Sequence, residues 1–415
     1  MDLFASLARR NPGLIEAAAT LHREGTIPPD CYVVDLDTIA ANCRAVGAAI
    51  DDAGLLTFFE AKQFGRCPPI CATVRANGFD AALAIDMEEL YALERLAIPV
   101  GHVGHLGQIP VADVEYVVTH TRPQYVTVYS LEKCHHIARV AASHGLVQPV
   151  VLRVDGPRDI VARSLAGGVA ESDALWVIAH IDRLDGVRFA GFTTYPAVRF
   201  DLGRQAWVTT SNFETMIGLA GRVRDELGIE VDHINAAGNI CAASIGLIAG
   251  VATHCEPGQA FVGGLVANAF SDQAEVPAMA YVTEVSHVAD GVPYVFASSW
   301  VANNTVGIWN QLDYDALLGT IPAGDGAAGR PLSAKPQQFA ASDPTAFMYN
   351  AIRPLDGGGA NVGDTVVFGF RSQLYRANGA LLAVLDGLAD GAPRLLGLFD
   401  RNGNSVTRSR VPCSI

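Results

Sequence analysis

The stretch LLTFFEAKQFGR, residues 55–66, is an apolar run that leads into a lysine. Lysine is rare in this chain, because only Lys62, Lys133 and Lys335 are lysine among 29 cationic residues. A lysine amine can lose its proton and attack a carbonyl, whereas an arginine guanidinium stays protonated at ordinary pH. Lys62 is therefore a candidate for Schiff-base formation. A surface lysine that caps a strand is the open alternative.

Seven further apolar runs follow this stretch up to about residue 270, and helical patterns lie between them. One example is MEELYALERL (87–96), which is apolar at i, i+3 and i+4. Near-continuous hydrophobic strands that alternate with helices indicate a parallel sheet covered on both faces. Eight such units predict a closed (β/α)8 TIM barrel, with a doubly wound open sheet as the alternative. The seven runs are AALAI (81–85), IPVGHVG (98–104), QYVTVY (124–129), PVVLRV (149–154), VRFAGFTTY (187–195), VDHINAA (231–237) and VATHCEP (251–257).

The texture of the sequence changes after about residue 275. Runs such as YVTEVSHV and DTVVFGF are rich in β-forming residues, and glycine-bearing turns such as DG and GDG separate them, so we expect a C-terminal antiparallel β domain. Segment 321–345 is predicted to be a long surface loop. The run CYVVDL (31–36) is expected to pair into the β domain. The predicted division is a barrel at 50–274 and a β-rich domain formed by 1–49 plus 275–415.

Composition excludes several classes of function. The chain has 415 residues, half of them apolar, and a formal net charge of −14, which argues against nucleic-acid or anionic-membrane partners held by bulk electrostatics. No run of 18 uncharged apolar residues predicts a membrane span, and the acid and arginines near the N-terminus do not suit a secretory leader. The eight cysteines lack CxxC pairs, so reduced thiols and a cytoplasmic location are expected.

Polar residues and two glycine-bearing turns follow the predicted strands at the edge where barrel active sites lie. The turn after strand seven leads into a helix near Ala242, whose N–H groups and Ser244 hydroxyl would hold a phosphate, and Gly258 and Gln259 offer further donors. Either turn alone is weak evidence, because most such turns bind nothing. The set is Lys62 and Arg66, His105, Arg153 and Asp155, Thr194 and Tyr195, NAAGNICAAS (235–244) and HCEPGQ (254–259).

A family resemblance joins these features. The order of elements resembles the fold-type III pyridoxal-phosphate enzymes, the group of alanine racemase and the basic amino-acid decarboxylases. AKQFGR (61–66), GHLGQIP (104–110), TTYP (193–196), CEPGQA (255–260) and FGFRSQ (368–373) together are similar to the YhfX-like subgroup of alanine-racemase-like proteins. The resemblance covers nearly the whole chain, and its first two motifs are the most specific.

The resemblance implies pyridoxal 5′-phosphate as the cofactor and assigns roles to particular positions. Lys62 would hold the cofactor as an internal aldimine and later serve as a base at the substrate Cα. Arg66 would contact the phosphate. Glu256 would lie against the pyridine nitrogen and stabilise a quinonoid intermediate. The other cofactor-binding positions implied are His105, Arg153, Tyr195, Gly238, Asn239, Ser244, Gly258 and Gln259.

Departures from the family patterns bear on the reaction. The decarboxylase motif EPGR is EPGQ here, which removes one cation. The decarboxylase motif GPTCD resembles SDPTAF (342–347), where Ala346 replaces the protonating cysteine. The favoured interpretation is therefore an amino-acid racemase or epimerase. A decarboxylase or lyase on the same cofactor stays open, and so does a cofactor-binding regulatory protein without turnover.

Racemisation needs a second acid or base opposite the lysine. In the related enzymes this group comes from the partner subunit, so the resemblance implies a homodimer with a shared active site. Tyr349 in TAFMYNAIRPL is the candidate, with plain packing as the alternative. Arg371 and Gln373 alternate on one strand face and would bind a substrate carboxylate, although an ion pair at the dimer interface is equally open for Arg371.

The sequence does not predict a metal site. His135 and His136 are adjacent, so on a helix they point about 100° apart. His102 and His105 lie at a glycine-broken strand end without a nearby pair of carboxylates. Aldolases of this fold type often carry an HxC pattern in the β domain, and that pattern is missing here.

Overall fold

A computed structural model describes residues 3–161, 165–300, 317–323, 329–334, 348–371, 374 and 379–407. The chain starts with two helices, α1 (Leu3–Arg10) and α2 (Pro12–Arg23), followed by strand β1 (Cys31–Asp35) and helix α3 (Leu36–Ala53). The Asp35 carboxylate accepts hydrogen bonds from the N–H groups of Asp37 and Thr38. This N-cap turns the chain from strand to helix at once.

Eight parallel strands close into a barrel, as the apolar runs predict. The first is broken into β2 and β3, which pair with opposite neighbours, so that the sheet closes on itself. Most barrel strands are buried along their whole length, because helices cover the outside and side chains fill the inside. The strands are β2 (Leu56–Thr57) with β3 (Phe59–Glu60), β4 (Ala82–Ala84), β5 (Val100–Val103), β6 (Tyr125–Val128), β7 (Gln148–Asp155), with the short β8 (Val169–Ala170) beside it, β9 (Val187–Thr194), β12 (His233–Ala236) and β13 (His254–Cys255); the hairpin β10 (Val198–Asp201) and β11 (Ala206–Thr209) lies between β9 and β12.

The barrel helices alternate with these strands, and several begin at a capping side chain directly after a strand. Asp86, Ser130 and Thr210 each accept a backbone N–H bond in the first turn of the helix that follows. The helices are α4 (Pro68–Ala76), α5 (Met87–Arg95), α6 (Val114–Tyr116), α7 (Leu131–Ser143), α8 (Ala174–Ile181), α9 (Ser211–Arg222) and α10 (Ala242–Ile245). No helix among the described residues is both long and apolar enough to span a bilayer.

The second sheet is antiparallel apart from one pair of strands. Strand β1 lies inside it, antiparallel to β14 and parallel to β20, which confirms that the N-terminal run joins the β domain. The remaining strands are β14 (Met279–Ala289), β15 (Val292–Phe296), β16 (Leu317–Ile321), β17 (Arg330–Ala334), β18 (Tyr349–Pro354), β19 (Thr365–Phe368), β20 (Leu381–Asp386) and β21 (Arg394–Asp400).

The predicted surface loop at 321–345 is wrong over part of its length. Strand β17 lies within this segment and pairs with β16 on one side and β18 on the other. Its proline and alanine residues have weak strand propensity, but two neighbouring strands satisfy its backbone hydrogen bonds. Residues 335–345 lie outside the described residues.

Aromatic rings fill the barrel at the amino ends of its strands. His233 packs against Tyr125 and His254 with tilted rings, whose centroids are 4.0 Å and 3.9 Å away. Phe58 stacks on the other side of His254 at 5.9 Å. We call this set, Phe58, Tyr125, His233 and His254, the barrel floor. The carboxyl ends of the same strands form the mouth of the barrel.

Candidate active site at the barrel mouth

Lys62 lies in a single 3-10 turn immediately after β3, and only 4% of its surface is exposed. Its Nζ donates a hydrogen bond to Glu60 Oε1 at 2.7 Å. Burial by itself would lower the pKa of the amine, but the negative charge of Glu60, with contributions from Tyr195 and Glu89, raises the lysine pKa above its ordinary value. The lysine is therefore held as an ammonium in a buried ion pair.

Glu256 follows β13 and is fixed by an imidazole. Its Oε1 accepts a hydrogen bond from His102 Nδ1 at 2.6 Å, and the opposite ring nitrogen of His102 bonds with the Thr127 hydroxyl at 2.6 Å. The other carboxylate oxygen, Oε2, lies 3.8 Å from His105 Nε2 and has no hydrogen-bond partner among the described residues. One oxygen of Glu256 is thus anchored, and the second remains available.

A second chain of polar contacts connects β5, β6, β7 and β9 at the same edge. His105 Nδ1 bonds with the Thr193 hydroxyl at 3.1 Å, and the Tyr129 hydroxyl donates to the His105 carbonyl at 2.9 Å. Arg153 donates from Nη1 to the Tyr129 oxygen at 3.0 Å. Burial, followed by the neighbouring His102 and Arg153, lowers the pKa of His105 well below its usual value. His105 is therefore a neutral imidazole.

Arg66 and Glu89 form a buried pair beside Lys62. Arg66 Nε is 3.6 Å from Glu89 Oε1, and both side chains are almost fully buried. The second oxygen of Glu89 accepts the Ile85 N–H at 3.1 Å. Burial raises the pKa of Glu89 to about 7, although Arg66 and Lys62 act in the opposite direction. The arginine adopts a left-handed backbone conformation, with φ of 48°, directly after Gly65 at φ 68°.

The turn after strand seven uses its hydrogen-bonding groups within the protein. The Asn239 N–H donates to the Val198 carbonyl at 3.3 Å, and the Ser244 hydroxyl accepts from the Cys241 N–H at 3.0 Å. The first N–H of α10, on Ala242, donates to the Glu275 carboxylate at 2.7 Å. Phosphate binding by Ser244, Asn239 and this four-residue helix stays a prediction.

Two glycines at the mouth are required by close packing. A Cβ at Gly238 would lie 2.7 Å from the Val198 carbonyl oxygen, and φ there is 156°. A Cβ at Gly258 would lie 2.7 Å from Glu60 Cβ and 2.9 Å from the Glu60 carbonyl oxygen. The glycine of the EPGQ turn therefore makes room for the residue that pairs with Lys62.

The residues at the mouth fit pyridoxal 5′-phosphate, which needs an amine, an acid at its ring nitrogen and donors for its phosphate. Buried polar atoms here lack hydrogen-bond partners in the described part of the chain, and such atoms are rare in folded proteins. A ligand with a protonated ring nitrogen would satisfy the Glu256 oxygen, and its phosphate oxygens would accept from the arginine and amide N–H groups. The atoms are Glu256 Oε2, His105 Nε2, Arg66 Nε, Arg153 Nε and both side-chain amide atoms of Gln259.

Two of the three residues predicted in the β domain lie among the described residues. Tyr349 lies on β18, is 41% exposed, and packs beside His287 and Phe296 with ring centroids 4.9 Å and 5.7 Å away. Arg371 follows β19 and is buried. Gln373 lies outside the described residues. Their predicted roles stay predictions, as does the contribution of Tyr195, whose ring is 6.0 Å from that of His105.

Sequence reasoning missed Glu60 and the function of His102. Glu60 could have been predicted as a neighbour of Lys62, because it interrupts an apolar run two residues before the lysine. Residues two apart on a strand share a face. The function of His102 could not be predicted from a single sequence, since its partner Glu256 is 154 positions away. The two side chains meet only because the sheet closes into a barrel, since β5 and β13 are not neighbours in it.

The fold and the site define a class: a (β/α)8 barrel with its lysine after the first strand and a C-terminal β domain is a fold-type III pyridoxal-phosphate-dependent enzyme. Residues 34–266 match the model of the family "Alanine racemase, N-terminal domain", and the chain belongs to this family. Pyridoxal phosphate is the cofactor of this family.

Relatives span the whole chain. The uncharacterized protein YhfX of Escherichia coli (strain K12) is 30% identical over 406 residues, which cover 97% of this chain and 98% of that protein. The crystal structure of D-threonine aldolase from Filomicrobium marinum aligns with a TM-score of 0.65 at 15% identity, over 90% of this chain and 95% of that one. Alanine racemase of Clostridium difficile 630 in complex with cycloserine aligns with a TM-score of 0.59 at 14% identity, over 91% and 99%.

Proposed function

We propose that the protein is an amino-acid racemase or epimerase that removes the proton from the substrate Cα and returns it to the other face. Support comes above all from two groups at the mouth: Lys62, held by Glu60, and Glu256, whose Oε1 is fixed by His102 while its Oε2 has no hydrogen-bond partner among the described residues. Bound pyridoxal 5′-phosphate would supply an aldehyde for the lysine and an electron sink for the Cα carbanion.

The chain's own groups divide the remaining tasks. Lys62 would take or return the Cα proton on one face. Glu256, as a carboxylate, would accept a hydrogen bond at its free oxygen from a protonated cofactor ring nitrogen, since a negative charge there favours the charged ring. Arg66, Arg153 and the Gln259 amide would bind the phosphate and ring oxygens. Burial of all these groups excludes water from the carbanion.

The second acid or base would be Tyr349 of the partner subunit in a homodimer. Its exposure on β18 is consistent with this proposal, because a residue that acts across an interface must be accessible in the isolated chain. Arg371 and Gln373 would bind the carboxylate of the amino acid.

A lyase is the second candidate, and one observation favours it. A carboxylate at Glu256 would keep the ring of a bound cofactor a strong electron sink, which suits bond cleavage as well as proton transfer, and the D-threonine aldolase structure aligns over nine tenths of this chain. Ala346, at the position of the decarboxylases' cysteine, argues against decarboxylation.

The decisive experiment incubates single enantiomers of a broad set of amino acids with the cofactor-loaded protein in D2O. A racemase introduces deuterium at Cα and produces the mirror image. A lyase releases aldehyde, ammonia or CO2 without the mirror image and supports the second candidate instead. If no amino acid in the set exchanges its Cα proton or is cleaved, the catalytic proposal fails and a regulatory cofactor-binding protein takes its place.

A further inference from the structure

Glu60 is held rigidly against Lys62. It ends β3, is only 8% exposed, and its N–H donates to the Pro257 carbonyl at 2.9 Å. The backbone and side chain of Glu60 pack against Gly258 so closely that a methyl group there would overlap them. Its Oε2 accepts a weaker bond from Gln63 Nε2 at 3.4 Å, which leaves Oε1 for the lysine at 2.7 Å.

A buried carboxylate in direct contact with a buried ammonium controls the proton on that ammonium. Loss of either charge leaves the other uncompensated in a poorly solvated site, which is costly. Glu89 and the Tyr195 hydroxyl also act on Lys62 in the same direction as Glu60, and the Glu89 charge is opposed by Arg66. His105 lies nearby as a neutral ring. Among the described residues, only Glu60 is hydrogen-bonded to the amine.

We propose that Glu60 is the positioning residue for Lys62, and that the two side chains share one exchangeable proton. When the amine becomes a nucleophile, one N–H bond of the ammonium breaks and an O–H bond forms on Glu60. When the amine later takes a proton from a substrate, the new N–H bond is stabilised by the Glu60 carboxylate. The second half rests on the proposed function, and the first half does not.

The test measures the reactivity of Lys62 in the full-length protein freed of cofactor. Trace acetic anhydride is applied from pH 7 to 11, and labelling of each lysine peptide is quantified by mass spectrometry. Lys133, whose Nζ donates to the Ile109 carbonyl at 2.5 Å, is an internal reference in the same digest. Only unprotonated amine reacts, so labelling reports the proton on Lys62.

Glu60→Gln keeps the shape of the side chain and removes its charge. We expect the labelling midpoint of Lys62 to move down by at least one pH unit, which is about a tenfold gain in reactive amine below the midpoint. Glu60→Asp, shorter by one methylene, should move it in the same direction by less. Exposed Glu115, which pairs with His144, supplies the matched control Glu115→Gln, with no shift expected.

An unchanged Lys62 midpoint in Glu60→Gln, or in Glu60→Asp if the first variant does not fold, would overturn the proposal. An equal shift in Glu115→Gln would also overturn it, because the effect would then reflect overall charge. As a second readout, the pH at which pyridoxal 5′-phosphate gains its visible absorbance on the protein should fall in Glu60→Gln. A wild-type protein without Cα exchange would contradict the proposed function and leave the labelling result intact.

Discussion

The mouth and the floor of the barrel both bury titratable side chains, and they do so in opposite ways. At the mouth, Lys62 meets Glu60, and Arg66 meets Glu89. On the floor, His233 and His254 stack as rings, and burial lowers the pKa of His233 well below its usual value and that of His254 to about 4. Lys62 and Arg66 at the mouth are thus paired with carboxylates, whereas the two imidazoles of the floor are neutral. The mouth is thus equipped for reaction and the floor for packing.

The mouth would lose most from removal of its amine. Lys62→Ala should abolish covalent capture of pyridoxal 5′-phosphate and reduce turnover by roughly a thousandfold or more, because the variant lacks both the nucleophile and the base. Visible absorbance during cofactor titration, and borohydride reduction followed by peptide mapping, measure the effect. Lys133→Ala is the control. Persistent absorbance in Lys62→Ala would mean that a different lysine is the anchor.

Glu256→Gln should keep the cofactor and reduce the rate of Cα exchange by about a hundredfold to a thousandfold, the usual range for one buried electrostatic group. The glutamine amide lacks the negative charge that would stabilise a protonated ring nitrogen. The steady-state rate of Cα exchange and the absorbance spectrum of the cofactor measure the effect. Equal rates in Glu256→Gln and wild type would show that the carboxylate serves structure alone.

The floor should make folding sensitive to acid. The folded-state pKa of His254 is about 4 and its ordinary value is 6.5, so the unfolded chain binds a proton where the folded chain does not. The free energy of unfolding is therefore unaffected by protonation of His254 above pH 6.5. It falls as the pH drops from 6.5 to about 4, by about 3 kcal/mol over that range. Urea unfolding of wild type and His254→Phe at several pH values measures it.

The His254→Phe variant should lose this part of the acid sensitivity, since phenylalanine cannot titrate and can stack on Phe58 in the same place. His135→Phe, on the exposed side of α7, reports the effect of the substitution itself. Parallel pH curves for wild type and His254→Phe would contradict the neutral-imidazole description of the floor.

The packing of the mouth predicts a smaller effect. Gly258→Ala should lower the free energy of unfolding by about 2 kcal/mol, because the new methyl group overlaps Glu60 backbone and side-chain atoms. Gly246→Ala, with no atom within 4 Å of the added carbon, is the matched control. Denaturant midpoints measure both. Equal midpoints would mean that the turn moves freely away from Glu60.

How far sequence leads depends on whether a feature is local. The barrel strands could be predicted because burial on both faces leaves continuous apolar runs, and the lysine stood out through its rarity. Strand β17 could not, because hydrogen bonds from β16 and β18 overcome its weak propensity. The His102–Glu256 contact could not either, since it depends on barrel closure and not on spacing along the chain.

Strand β1 has a topological consequence. Val34 near its end is paired with Met279 at the start of β14, so the polypeptide leaves the β sheet and returns to it at adjacent backbone positions. The barrel is therefore an insertion whose two ends are already neighbours, and a short peptide could join them. The barrel is therefore suited to circularisation or to insertion into another protein, because neither of its two chain ends has to be moved.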